Sequence, residues 1–395
     1  MGRVNRSVRA LSLMSVLVVL LAGCGRLSLK DAITKVATLD PVWVLKDSKA
    51  VGPAGSWFGY SVEVSDTYVI VGAPASPEGG TNRGAAYIYT RNSDGTLAGS
   101  PVKIVSSSPA NNLYFGAVVA ITDSYAFVSS TGTNKIEVFS QAAGWSKVGP
   151  DLSISSGTVA SAMDASGNYF VASDQAGRVR FFHNIAGTWT MEFPINGSAP
   201  DQYGWSVAIC GDWAVVGAEN YSGSVSDGGR AYVYQRSGTS WNLVKTLDPP
   251  VPTANGLFGQ SVALTDLRMV VGTWATTSLH FCELSGSQWQ ADGSLSIGGV
   301  VAGDQFSSAV AVTGDSVIAG AYGTSSGRGC AYPAWRTDGT WASRKADKIL
   351  TEPSGSVSAN FGTSVAAHGN ALVIGSPYSD NAFGTDAGAV YIYAY

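Results

Sequence analysis

Charge is scarce in this chain: only 13% of its 395 residues are Asp, Glu, Lys or Arg, and it holds three His and four Cys. His183, His280 and His368 stand far apart. No HExxH, no GxSxG elbow, no P-loop and no GxGxxG between a strand and a helix occurs, so the familiar motifs for metal-assisted hydrolysis, acyl transfer and nucleotide chemistry are missing. No strip of Lys and Arg interleaved with aromatics is present, which sets nucleic acid aside as a partner. The conspicuous apolar run, from Ala10 to Ala22, is broken by Ser12 and Ser15 and is too short for a membrane span, which needs about 20 residues. Glycine, by contrast, is abundant at 48 residues, the composition of a turn-rich all-β chain.

The abundant glycines recur in a pattern. The fullest copy reads Phe58-Gly59-Tyr60-Ser61-Val62, a turn at Ser65-Asp66, then Val69-Ile70-Val71-Gly72-Ala73-Pro74, then Gly84-Ala85-Ala86-Tyr87-Ile88-Tyr89. The leading aromatic position falls at Phe58, Phe115, Val159, Tyr203, Phe258, Phe306 and Phe361, so there are seven copies. A strand opening on Trp follows at Trp145, Trp189, Trp241, Trp289 and Trp341; copy one has the weaker SPVKI ending at Ile104, and copies two and three are the most eroded. Each copy thus offers four short strands, A to D, with Gly, Asn, Asp and Ser at the turns. A four-stranded sheet buries both faces only by packing against its neighbours, and repeats of this length made of strands alone close into a radial ring. The chain ends at Tyr395 on the seventh C strand, while Val42-Trp43-Val44-Leu45-Lys46 upstream matches Trp241-Asn242-Leu243-Val244-Lys245. The expected fold is therefore an all-β seven-bladed propeller of four-stranded antiparallel blades, closed by the N-terminal strand and spanning residues 41–395.

The pattern FGxSV, short turn, VVGAP, variable loop, GxAYVY and Trp strand resembles the FG-GAP repeat of the integrin alpha-subunit propeller, and more closely its bacterial form. The resemblance covers nearly all of 41–395 and implies adhesion or protein recognition, not catalysis. One departure concerns metal. The integrin calcium motif lies in the A–B loop, whereas here that connection is a tight turn throughout, as at Ser65-Asp66, Thr122-Asp123, Gly211-Asp212 and Gly314-Asp315. Calcium takes 6–8 oxygens, and one acidic side chain per turn reads as a turn former. Asp380, Asn381 and Asp386, and Glu78 with Asn82, are read as solvated loop residues. No metal and no cofactor is expected.

The N-terminus carries a second signal. Arg3, Arg6 and Arg9 precede the apolar run, and Leu21-Ala22-Gly23-Cys24 follows it. A basic start and a short apolar core describe a secretory signal peptide over residues 1–23. Leu-Ala-Gly-Cys resembles the bacterial lipobox, which implies cleavage before Cys24, lipid on that cysteine and a tether over 24–40. Two or more acyl chains give stable anchoring. Losing three Arg and no acid leaves 21 basic against 28 acidic residues, a balance of −7. The expected location is the cell envelope, with the outer membrane or cell surface favoured over the inner membrane because Gly25, not Asp, follows Cys24. Cys210, Cys282 and Cys330 then remain and are read as small buried residues.

In an A–B–C–D meander the B–C and D–A loops share one face. Variable loops on a rigid scaffold are where recognition sits. That face is expected to carry Trp57, Tyr114, Glu219, Tyr221, Trp274, Tyr322, Tyr378 and Asp380; Trp274 and Tyr322 stand where the fullest copy has Pro74. The expected function is a membrane-anchored, non-catalytic recognition or adhesion module for a protein partner. The alternative is a glycan-binding propeller, and a hydrolase ranks below both.

Overall fold

The computed structural model describes residues 42–395 apart from 134, 155–159, 175, 275, 337–340, 342–343 and 346–348. The signal segment, Cys24, the tether and Val159 lie outside the described residues. One compact unit runs from Trp43 to Tyr395.

Seven sheets form the unit, each a meander in which A pairs with B, B with C and C with D. Blade one is typical: Ser61–Val64, Tyr68–Ala73, Ala85–Arg91 and Leu97–Ile104. The seventh blade lacks a D strand of its own, and Val44–Lys49 supplies it by pairing antiparallel with Ala389–Ala394, Val44 opposite Ala394. The ring is closed by the N-terminal strand as expected. Two edges depart from the repeat. Blade two has a D strand of only two residues, Ser146–Lys147. In blade six the strand expected to open at Trp341 pairs with strand C only at Leu350–Thr351, while Arg344–Lys345 runs parallel to the D strand of blade five. The D–A connection from blade three to blade four is short, because strand D of blade three extends to Asn196.

The core is not one cluster but seven, and each draws its side chains from two neighbouring blades. That follows from sheet geometry, since a lone blade would leave both faces wet. The strand-D tryptophans serve these junctions. Trp189 packs edge-on against Phe127 at 4.9 Å, Trp241 stacks on Phe181 at 4.3 Å, and Trp341 stacks on Phe281 at 3.9 Å, each ring resting on the preceding blade. Trp43 does the same for the closing strand, stacked 6.1 Å from Trp335 of blade six. Leu97 takes the place in blade one.

The FG-Ser signature is an inter-blade staple at the loop face. Ser61 Oγ donates to the Gly116 carbonyl of the next blade at 2.9 Å, and Ser206 to Gly259 and Ser364 to Gly59 at 2.7 and 2.9 Å. The leading Phe amide donates in turn to the preceding blade: Phe58 to Ala387, Phe115 to Arg83, Phe258 to Gly228 and Phe361 to Arg328, at 3.0–3.2 Å. Backbone must approach backbone for this, so no side chain fits: a Cβ added at Gly375 would lie 2.0 Å from the Gly59 carbonyl oxygen.

Candidate functional site

Strand direction gives the ring two different faces. The A–B turns stay tight and lie with the C–D turns, as the bond from the Arg91 amide to the Thr67 carbonyl shows. The opposite face carries the long B–C loops, 74–84, 219–229 and 377–388, and the D–A loops.

On the loop face the structure gathers four aromatic rings from three blades. Trp57 and Tyr60 come from blade one, Tyr114 from blade two and Tyr378 from blade seven. Trp57 is the hub, 6.1 Å from Tyr60 and 6.3 Å from Tyr114 at small interplanar angles, with Tyr378 edge-on at 5.7 Å. Two of these residues owe their placement to an unusual backbone. Trp57 (φ 56°) and Tyr114 (φ 51°) are left-handed, the conformation held just before the leading aromatic, which turns both side chains onto the face. Tyr60 is 38% exposed, so the cluster is open to solvent. Burial raises the phenol pKa of Tyr322 and Tyr378, and the Tyr60 phenol adds to both.

The other expected site residues lie elsewhere on that face. Tyr221 carries the Arg230 guanidinium 4.0 Å over its ring, and Arg230 holds Asp248 at 2.7 and 2.8 Å, beside a cavity of about 310 Å³. Glu219 is only 7% exposed, and burial pushes its carboxyl up to about 7. Trp274 is half-buried. Asp380 is exposed, and its Oδ1 accepts from the Asp386 amide at 3.0 Å, while Asn381 Oδ1 accepts from Phe383 N, so these loop oxygens are turned on backbone. Tyr60 was not among the expected residues; its place directly after Phe58-Gly59 hid it inside the scaffold motif. Cys210 is half-buried, Cys282 and Cys330 are buried, and none of the three is in a disulfide.

The turn-face end of the central channel holds a cavity of about 770 Å³ lined by the seven A strands and their turns. Besides Asp66, Asp123 and Asp266 at the turns, two acids stand on its A strands, Glu63 and Asp164. Glu63 pairs with Ile70, and at the matching register blade three places Asp164 while the other five blades place Ala120, Ala208, Ala263, Ala311 and Ala366. Val64 N donates to Glu63 at 2.9 Å; Asp164 accepts from Ala165 N and, across the blade boundary, from Ile209 N, both at 2.7 Å. Each side chain keeps some surface, but that surface opens only onto the channel. Desolvation therefore raises Glu63 to about 8, helped by the Asp164 charge, and Asp164 to about 7.

The FG-GAP repeat family model matches this chain over residues 50–89, 193–234 and 346–393. No curated protein sequence matches it. Among solved structures, the β-propeller domain of Cps50 (Swd1) from Myceliophteria thermophila is similar with a TM-score of 0.59 at 12% identity, covering 90% of this chain and 100% of that one. A structure of U3-55K is similar with a TM-score of 0.56 at 12% identity, over 88% of this chain and 98% of that one. A chain of the Mitotic Checkpoint Complex gives 0.56 and 12%, over 90% and 98%. At such identities the likeness speaks for the propeller fold alone.

Proposed function

We propose that this propeller, built of FG-GAP repeats, is a non-catalytic recognition module that binds a partner protein through its loop face. The observation that carries this reading is the aromatic cluster of Trp57, Tyr60, Tyr114 and Tyr378, assembled from three blades on the variable face. Large rigid rings bring much contact area at small entropic cost, and such residues dominate binding energy at protein interfaces.

Envelope anchoring belongs to the same proposal. The closing strand starts beside the turn face, where Trp43 meets Tyr395 at 4.7 Å, and runs toward the loop face, where Lys49 pairs with Val390. A lipid-bearing tether ahead of Trp43 would join the propeller at its turn face and leave the recognition face directed away from the membrane. An adhesive role at the outer membrane or cell surface fits that polarity.

Photo-crosslinking in cells tests the recognition reading. A photoreactive residue at Tyr60 should give discrete protein adducts, and the same residue at Asp66 on the turn face should give none. Adducts at Asp66 alone, or at neither position, would sink it. For the anchor, radiolabelled palmitate should label the full chain and not its Cys24→Ala variant; equal labelling of both removes the lipid from the scheme.

A further inference from the structure

Five of the seven blades place alanine at one register of strand A, and two do not: blade one has Glu63 there and blade three Asp164. Backbone amides hold both acids. Val64 N donates to Glu63, and Ala165 N and Ile209 N donate to Asp164. Among the described residues no cationic side chain joins either one, and burial makes both costly to ionise. Alanine serves the fold at this register in the other five blades. A cost in stability that the scaffold does not require points to a task outside the scaffold.

Both acids line one cavity, about 770 Å³ at the turn-face end of the channel, a volume that suits a small molecule. Along the strands its walls are largely apolar, with Val64, Ile121, Met163, Val207, Leu264 and Val312. Its mouth adds acid, since Asp66, Asp123 and Asp266 stand at the turns. The basic groups there are already engaged. His368 Nε2 lies 2.8 Å from Asp66, and Arg268 Nη2 lies 2.8 Å from Asp315.

We propose that the channel, from its turn-face mouth to Glu63 and Asp164, is a binding site for an aliphatic ammonium ligand, a primary amine on a methylene chain. What the cavity offers and what it omits decide the class. Ionised carboxylates accept and do not donate, so the ligand brings the donors and the positive charge. A bare metal ion does not fit, because among the described residues no three His, Cys, Asp or Glu side chains are grouped to hold one. The lining includes no Phe, Tyr or Trp, so a quaternary ammonium or a sugar ring finds no aromatic face. A primary ammonium carries three donors on a compact head, and its methylene stem lies along the apolar walls. The site is at the other end of the ring from the Trp57 cluster and does not rest on the protein-partner reading.

The full chain should be titrated by calorimetry with diaminobutane and with spermidine, at about 0.15 M salt so that loose surface attraction is screened. Butanol serves as the neutral analogue and calcium chloride as the metal. At least one amine should saturate below millimolar concentration, and butanol and calcium should not. Glu63→Ala installs the residue of five other blades, and Asp164→Asn keeps an acceptor oxygen while dropping the charge. Each should weaken binding about tenfold, the loss of roughly one charge-assisted contact, and Glu63→Ala should melt no lower than the parent. Asp94→Asn, at the exposed C–D turn of blade one outside the cavity, should bind as the parent does. Burial raises both acids toward neutrality, so affinity should fall about tenfold or more between about pH 8 and about pH 6, as they take up protons. The proposal fails if no amine saturates, if both cavity variants bind as tightly as the parent, or if Asp94→Asn weakens binding as much as they do. It fails equally if affinity is the same at both pH values, or if butanol or calcium binds in place of the amines.

Discussion

The junction of blades seven and one and the junction of blades five and six are built from the same repeat, yet their loop ends differ. At the first, Phe58 N bonds Ala387, Ser364 bonds the Gly59 carbonyl, and Gly375 leaves the room that backbone-to-backbone contact requires. At the second, Ser261 still bonds the residue 307 carbonyl at 2.6 Å, but that residue is Ser and, among the described residues, no Phe amide reaches back. One junction is therefore stapled in both directions and the other in one. Where a repeat is kept it reads as scaffold, and where it is broken at a cost in stability it marks a place to look for function.

The largest effect is expected at the closed junction. A Cβ at Gly375 would meet the Gly59 carbonyl oxygen at 2.0 Å, a backbone atom that cannot swing away. Gly375→Ala should lose about 3 kcal/mol or more in urea unfolding. At the open junction the equivalent Gly272 meets only side-chain atoms, Ser261 Oγ at 2.3 Å and Ser307 Oγ at 2.8 Å, so Gly272→Ala should lose about 1 kcal/mol. Equal losses would erase the distinction between the junctions. Trp43→Ala tests the same closure from the outer strand. That ring is 2% exposed and packed on Trp335 and Tyr395, so its removal should cost about 3 kcal/mol.

A second pair of predictions concerns departures from the repeat that the fold itself disfavours. Glu63 replaces a ring alanine, and its folded pKa, about 8, lies above the ordinary 4.5; Asp164 behaves likewise, near 7 against 3.8. Between those values the folded state binds more protons than the unfolded one. Stability from the pair is thus full below about pH 4 and is lost as pH rises toward 8. Glu63→Ala should flatten that slope and gain about 1 kcal/mol near pH 8, a modest figure because the channel admits water. An unchanged slope in the variant would show that Glu63 does not titrate in this range. Ser307 is held at φ 58° where Gly59, Gly116 and Gly259 stand in other blades, so Ser307→Gly should gain a similar or smaller amount, about 1 kcal/mol, at any pH, and a loss would mean that its hydroxyl has a structural partner.

Most of the scaffold was legible because its signals are periodic. Seven copies of a strand-turn-strand pattern, and Trp43 matching Trp241, gave blade number and closure from spacing alone. Blade six was misjudged at its edge, since Trp341 keeps its packing role on Phe281 while strand pairing waits until Leu350. The loop face was legible as a face, but its grouping was not. Trp57, Tyr114 and Tyr378 lie far apart in sequence and meet only because blades seven, one and two are neighbours in a closed ring. Ser307 stood in plain sight as Phe-Ser in a row of Phe-Gly, but the strain it carries depends on φ, which sequence does not print.

The smallest effect sharpens the comparison by showing where it stops. On the turn face the two junctions are alike: His368 Nε2 lies 2.8 Å from Asp66 across blades seven and one, and Arg268 Nη2 lies 2.8 Å from Asp315 across blades five and six. Both carboxylates are well exposed, at 76% and 64% of their side-chain surface, so water and salt screen each pair. Asp66→Asn and Asp315→Asn should each cost no more than about 0.5 kcal/mol, by like amounts, and less still in 1 M salt. If Asp315→Asn alone proved costly, the blade five–six junction would depend on its turn end, and its singly stapled loop end would have to be read as compensated there. If both costs are small and equal, the difference between the junctions resides wholly at the loop face.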